Sequence, residues 1–318
     1  MTESVITSAA SEVVARVGLE PVAGRSPWQL GWDRLRRDRV AIGSAVVILL
    51  LVAIAIAAPL IAHLVGYDYA DQDRVHGITR EGLPVAPSGE HPLGTDNLGR
   101  DLAVRIAYGA RVSLLVGVVS TALAVLLGIV VGLLAGYYGG IVDTVLARFM
   151  DVVLSFPFLL FAISLVSIVG PSLTVSIFVI AFFSWAAVGR IVRGQTLSIR
   201  EKEYIEAARS LGAGDLRIMF IDVLPNLMAP VIVYFTLLIP TAIVFEATLS
   251  FLGLGVVPPT PTWGNMLSQS IAFYQVAWWY VLFPGAALLI TTLAFNLLGD
   301  GVRDALDPRT ERLFAARR

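Results

Sequence analysis

Apolar and polar positions alternate along this chain in blocks, and six blocks are apolar enough to cross a bilayer. They cover 40–62, 112–137, 152–169, 172–189, 227–252 and 277–298. A helix needs about 20 such residues to span roughly 30 Å of hydrocarbon, and lipid accepts only helices or closed barrels. The pattern predicts an all-α, polytopic membrane protein with six transmembrane helices. It divides into an N-terminal segment 1–39, a first helix with a long polar loop (40–111), a five-helix core (112–298) and a charged tail 299–318. The core includes a polar stretch, 190–226.

Details within the blocks refine this. Pro59 falls near the end of the first span. Gly128, Gly132 and Gly136 recur every four residues in the second, after Gly117, and form a small-residue stripe suited to close helix packing. Tyr137 and Tyr138 close that span as an aromatic belt would. A short polar bridge, 139–151, carries Asp143, Arg148 and Asp151. Pro157 kinks the third span or marks its start. Gly170-Pro171 is a tight turn that makes the fourth span an antiparallel neighbour. Pro258, Pro259 and Pro261 predict an irregular segment over 253–276, partly re-entrant at the membrane surface. Trp278, Trp279 and Tyr280 anchor the sixth span. Glu246 is the one charge of the fifth span. An ionisable group there is a functional candidate; a buried carboxylate bonded to a neighbouring helix and a substrate contact are both open.

The most polar long run between apolar blocks is 201–226, EKEYIEAARSLGAGDLRIMFIDVLPN. It reads as two short helices around a bend. Tyr204, Ala208 and Leu211 share one side of the first (201–211), with Lys202, Glu206 and Arg209 on the others. Gly212 suits the left-handed residue that ends a helix. Asp215 is an N-cap for a second helix, 215–224, which Pro225 interrupts. Ala207, Ala208 and Gly212 are small enough for close approach of a soluble partner. An ordinary amphipathic loop between spans fits equally well.

Composition agrees with the membrane reading: 57% of residues are hydrophobic, 15% are charged, and mean hydropathy is +0.79, against about 25% charged in soluble domains. A net charge of −1 gives no basic field for nucleic acid. Without cysteine there is no disulfide, thiolate metal site or thiol nucleophile. His63, His76 and His91 lack metal-ligand spacing and read as solvated or interfacial. Eighteen of the 23 Lys and Arg residues fall on one side of the predicted topology and five on the other. The basic side holds Arg34, Arg36, Arg37 and Arg39, the 190–217 region and the tail, so both termini and the polar stretch are expected in the cytoplasm. The only lysine is Lys202, and no G-x-x-x-x-G-K-[ST] loop exists to cradle ATP.

Glu206-Ala207-Ala208, then Gly212, then Leu224-Pro225 resemble the EAA loop of permease subunits of bacterial ABC importers. Asp222 departs from that pattern, where an apolar residue is usual. Three other runs resemble the C-type permease of dipeptide, oligopeptide and nickel importers. The first is HPLGTDNLGRDLAVRIAYGARVSLLVG, with Thr95, Asp96, Arg100, Asp101 and Arg111 among its matching positions. The others are EATLSFLGLGVVPPTPTWG and NLLGDGVRDALDPR. The resemblance implies a type I ABC importer permease fold in the bacterial plasma membrane, with cytoplasmic coupling helices. It implies a non-catalytic subunit with no cofactor of its own, ATP and magnesium being bound by partners. Those partners are a B-type permease, two ATPase subunits and an extracytoplasmic substrate-binding protein. ATPase coupling would rest on Glu206, Ala207, Ala208, Arg209, Gly212, Asp215, Leu224 and Pro225.

The implied cargo is a di- or oligopeptide, with nickel or another small solute as the alternative. In the 91–117 motif, Thr95 or Asp96 would cap a short surface helix, with Arg100 and Asp101 paired to neighbours; a structural element and a contact to the binding protein are both open. An ion-driven secondary transporter is the competing class and predicts paired charges at mid-membrane and inverted repeats. The spans offer almost no ionisable residue besides Glu246, and no repeat is evident. No Ser/His/Asp set or metal cluster supports an enzyme.

Overall fold

The computed structural model describes residues 27–307, so the expectations for 1–26 and 308–318 lie outside the described residues. Among the described residues there are helices, turns and two isolated β-bridges, with no strand. In chain order the helices are α1 (Pro27–Leu35), α2 (Arg39–Ile56), α3 (Ala58–Val65), α4 (Leu102–Tyr138), α5 (Gly140–Ser155), α6 (Phe158–Val169), α7 (Leu173–Arg200), α8 (Glu203–Ser210), α9 (Asp215–Phe251), α10 (Trp263–Ser270) and α11 (Trp278–Leu306). α2, α4, α7, α9 and α11 are each long and apolar enough to cross a membrane. α5 and α6 together make the sixth candidate, bent by 83° at the Phe156-Pro157 break.

Several boundaries differ from the expected ones, each for a local reason. The first span breaks at Ala57, and Pro59 opens α3 instead of closing α2, since the first turn of a helix tolerates a missing N–H. The second span starts ten residues early, at Leu102, because the Asp101 carboxylate accepts from the Val104 N–H and caps it. Neither Thr95 nor Asp96 caps a helix. The bridge at 139–151 is helical, forming most of α5. The tail does not begin at Gly299: α11 continues to Leu306, with Gly301 against Ala41 of α2 and Gly31 of α1 against Leu306. The irregular segment after α9 closes with α10, where Thr262 and Asn265 form a capping box and Trp263 is fully buried.

α4 has 37 residues, roughly 55 Å at 1.5 Å per residue, and so overhangs about 30 Å of hydrocarbon. Its partner along most of that length is α7. The glycine stripe faces α7: an added Cβ at Gly128 would lie 2.6 Å from Val188 Cβ, at Gly132 2.5 Å from the Gly189 carbonyl oxygen, and at Gly136 2.6 Å from Thr196 Cβ. Gly117 meets Ile243 of α9 in the same way. The two backbones touch, which is how helices associate where lipid gives no hydrophobic drive.

Replacing Gly132 by valine is expected to lower stability by about 1–3 kcal/mol, the usual cost of overpacking. Gly194→Ala on α7, where nothing lies within 4 Å of the new methyl, is expected to leave stability unchanged or slightly raised. Thermal unfolding of the purified protein in detergent separates the two; equal midpoints would show that the seam does not hold α4 to α7.

Candidate functional site

Where α4 and α7 overhang the apolar layer, they carry a small knob made of α8, the bend at 211–214 and the first turns of α9. Its anchors are Ile205, Ile218, Met219 and Val223, buried against Leu133, Tyr137, Val188 and Val192. Ala208 is half-buried beside them. Ile205, overlooked in reading the sequence, is the true inner residue of α8; its i, i+3 spacing with Ala208 was the available signal. Tyr204 and Leu211, expected on that helix's apolar side, are instead exposed. Gly212 adopts φ +82 and ends α8 as predicted, in open space.

Two expectations for the knob are corrected. Asp215 is not an N-cap: Gly214 holds that position, and Asp215 Oδ1 accepts a 2.8 Å hydrogen bond from the Tyr137 hydroxyl. The Arg209 guanidinium sits 5.4 Å over the Tyr137 ring, and Arg200 Nη1 donates to the Tyr137 carbonyl at 3.1 Å. Tyr137 therefore ties the end of α4 to the knob through Asp215 and Arg209, and to the end of α7 through Arg200. Pro225 does not interrupt the helix either. Ile218–Val223 forms a wider π turn in which the Leu224 N–H bonds the Met219 carbonyl. Pro225 enters just after it, and the chain continues without a break to Phe251. The supposed second helix is the beginning of span five.

The outward surface of the knob mixes polar and apolar groups. Glu206, Ala207, Arg209 and Pro225 are exposed and Leu224 is half-buried. Leu211 (89% exposed), Leu216 (67%) and Phe220 (59%) stand beside them. Leu216 and Phe220 are one helical turn apart and point away from the buried Ile218 and Met219; that spacing was legible in the sequence but unused.

Arg193 grips Asp143 through two guanidinium nitrogens, and Arg190 Nη2 donates to Asp151 Oδ1 at 2.6 Å, clamping α5 to α7. Deeper in the bundle, Glu246 is fully buried. Ser113 of α4 donates to its Oε2 at 2.9 Å, and Ser250 to its Oε1 at 2.7 Å. Ser250 Oγ also accepts from the Val256 N–H at 3.2 Å. Glu246 is thus buried and bonded to a neighbouring helix.

At the opposite end of α4, residues 67–101 form a cap in which charge is buried instead of solvated. Thr95, Asp96, Arg100, Asp101 and Arg105 are all buried. Thr95 ties the cap's own turns together, donating to Gly77 O at 2.6 Å and accepting from Val85 N–H at 2.8 Å. Asp96 takes Arg100 Nε at 2.6 Å, with Arg105 Nε 3.3 Å away. Arg100 Nη2 reaches Gln269 on α10 at 3.1 Å, and Trp279 Nε1 of α11 reaches Thr95 O at 3.4 Å. Arg111 takes no part and is exposed further along α4. His91, expected at an interface, is buried, with Nδ1 2.9 Å from Asp101 Oδ2. Composition cannot show that burial, because the pairing partner lies ten residues on.

Asp73 sits at the edge of this cap. The His76 N–H, the Tyr67 hydroxyl and the Val75 N–H hold its carboxyl well below the ordinary 3.8, against the opposing effect of burial. The Tyr67 hydroxyl, bonded to Asp73, is pushed up to about 12. A depressed acid contributes stability above its ordinary value and loses it as pH falls through the folded one; a raised phenol contributes below its ordinary 10.0 and loses it as pH rises through about 12. Through these two groups, amide exchange protection of the cap is expected to fall below roughly pH 4 and above roughly pH 10. Asp73→Asn should remove the acid limb; an unaltered acid limb in that variant would assign it to another group.

Comparison with known proteins places this architecture. Residues 128–312 match the binding-protein-dependent transport system inner membrane component family, and residues 26–78 match the N-terminal transmembrane domain of oligopeptide transport permease C. The chain is 44% identical to the dipeptide transport system permease protein DppC of Alkalihalophilus pseudofirmus, over 89% of this chain and 90% of that one. It is 43% identical to the glutathione transport system permease protein GsiD of Pectobacterium atrosepticum, over 90% and 92%. A solved structure of the MetNI methionine ABC transporter in inward-facing conformations shares the fold, with TM-score 0.53 at 20% identity, over 64% of this chain and 96% of that one. The chain belongs to the binding-protein-dependent transport system inner membrane component family, as a multi-pass permease subunit of an ABC importer.

Proposed function

We propose that this subunit forms half of the translocation pathway of a peptide importer and takes its power stroke through the knob on α8 and α9. The observation that carries the reading is the exposed apolar set Leu211, Leu216 and Phe220 on an otherwise polar element held firmly from behind. Such residues, ringed by Glu206, Arg209 and Arg217, fit a groove on a soluble ATPase. The relatives named above are dipeptide and glutathione permeases, and a further one, 42% identical, is the di/tripeptide permease DppC of Pseudomonas aeruginosa. Peptide is therefore the proposed cargo, in preference to nickel. The proposed assembly is a second permease, two ATPase subunits and a solute-binding protein on the far side, with ATP and magnesium held by the ATPases. The knob and both termini face the cytoplasm in this reading, supported by the Lys and Arg asymmetry.

The mechanism is mechanical. When the ATPase pair closes, its grooves carry the knobs with them. α9 passes the displacement on as one rod, since the knob and span five share a helix. α4 and α7 move with it through the Tyr137–Asp215 bond and the cluster around Ile205. The bundle then rocks against the second permease between inward and outward states.

Leu211→Asp combined with Phe220→Asp is expected to lower ATPase co-purification at least tenfold while membrane insertion is retained; undiminished capture would remove the knob from the interface. Gly212→Val meets no clash but must hold φ +82, a cost of about 1–2 kcal/mol for a side chain. It should therefore reduce uptake more than ATP hydrolysis, and equal losses would count against coupling. Because the chain has no cysteine, single cysteines report sidedness directly. Leu211→Cys should react with an impermeant thiol reagent only from the cytoplasm, and Val75→Cys only from outside. The reverse labelling would invert the topology.

A further inference from the structure

The clamp between α5 and α7 leaves a cavity of about 320 Å³ whose lining includes Asp143, Arg148, Asp151, Arg190 and Arg193. Three guanidinium groups face two carboxylates there. Asp143 is fully engaged by Arg193, and Asp151 by Arg190 at 2.6 Å. Arg148 has only a 3.4 Å contact to Asp151 and is 80% exposed, so one positive charge is in excess with most of its donors open. On α5 and at its C-cap, Phe149, Val152 and Phe156 are exposed at i, i+3 and i+7, and with Ile141 and Val145 before them they make an exposed apolar stripe that passes Arg148 on both sides.

Depth decides what such a pair of features faces. The uncharged run of α4, 112–137, is about 39 Å long and exceeds the hydrocarbon by roughly 9 Å, or about six residues. α5 turns back from Gly140 beside that end, so its first residues lie outside the apolar layer. Arg148, about 12 Å along α5, comes about 3 Å inside the edge of that layer, from where its long side chain reaches back to the phosphates, and Phe149, Val152 and Phe156 follow it inward among acyl chains.

We propose that this groove binds one anionic phospholipid, its phosphate held between Arg148 and Arg190 and an acyl chain lying along Phe149, Val152 and Phe156. A single negative charge balances the single excess cation, and guanidinium forks match phosphate oxygens. Basic pockets between transmembrane helices are where such headgroups dock. The orientation proposed above serves only to name the leaflet as the cytoplasmic one.

The test is native mass spectrometry of the intact importer titrated with phosphatidylglycerol or phosphatidylcholine. The wild type should retain phosphatidylglycerol preferentially. Arg148→Gln, at an exposed side chain, should weaken that retention about tenfold, with Arg148→Lys intermediate. Equal retention of the two lipids by the wild type, or an unchanged Arg148→Gln variant, overturns the proposal. A photo-crosslinking residue at Phe149 gives a second reading that survives poor assembly of the variants. Capture of lipid supports the site; capture of the companion permease, or displacement of the lipid by added peptide, refutes it. Neither result bears on the peptide-importer reading, which uptake assays address.

Discussion

Everything in this bundle hangs from the backbone contact between α4 and α7. Helices in lipid gain nothing from hiding apolar surface against each other, so they stay together through close packing. Gly128, Gly132 and Gly136 allow it by presenting no side chain where Val188, Gly189 and Thr196 arrive. That contact keeps two overlong helices parallel beyond the apolar layer. The cluster of Leu133, Tyr137, Val188 and Val192 then offers a floor outside the lipid, on which Ile205 and Ile218 rest. A polar element of eight residues could not hold a shape alone; it does so here because the seam extends beneath it.

The broad layout was legible in the sequence because membrane helices announce themselves by length and hydropathy. The glycine stripe was legible because a spacing of four puts residues on one helix face. What escaped detection depended on bonds between distant residues. Asp215 looked like a cap until Tyr137, far away in sequence, was seen to donate to it. Pro225 looked like a stop, since proline lacks the N–H and clashes with the preceding turn. The π turn before it shifts the bonding register and the helix runs on through Pro225, which no residue pattern foretells. His91 read as a surface residue because its carboxylate partner, Asp101, is recruited by the fold of the cap.

The two polar centres inside the bundle follow one rule. Buried polar and ionisable groups persist only when their bonds are supplied by groups held in place. In the cap, Asp96 gathers Arg100 and Arg105 while α10 and α11 supply Gln269 and Trp279. Around Glu246, serine hydroxyls from α4 and α9 do the same, and the second also fastens the chain after α9 through Val256. Both centres join segments far apart in sequence. They therefore set how the irregular connections lie against the helices, which hydropathy alone leaves free.

The uninterrupted passage of α9 from the knob into the membrane has a geometric corollary. In a rod of this kind, azimuth and residue count are interchangeable: each added residue turns everything beyond it by roughly 100° and lengthens it by about 1.5 Å. The wide turn at Ile218–Val223 holds more residues per revolution than its surroundings. It thereby determines the compass bearing at which Leu216 and Phe220 leave the axis relative to Ile243 and Glu246 far below. Indels near that turn would swing Leu216 and Phe220 to a new heading and pull Ile218, Met219 and Val223 off the floor formed by Leu133, Tyr137, Val188 and Val192.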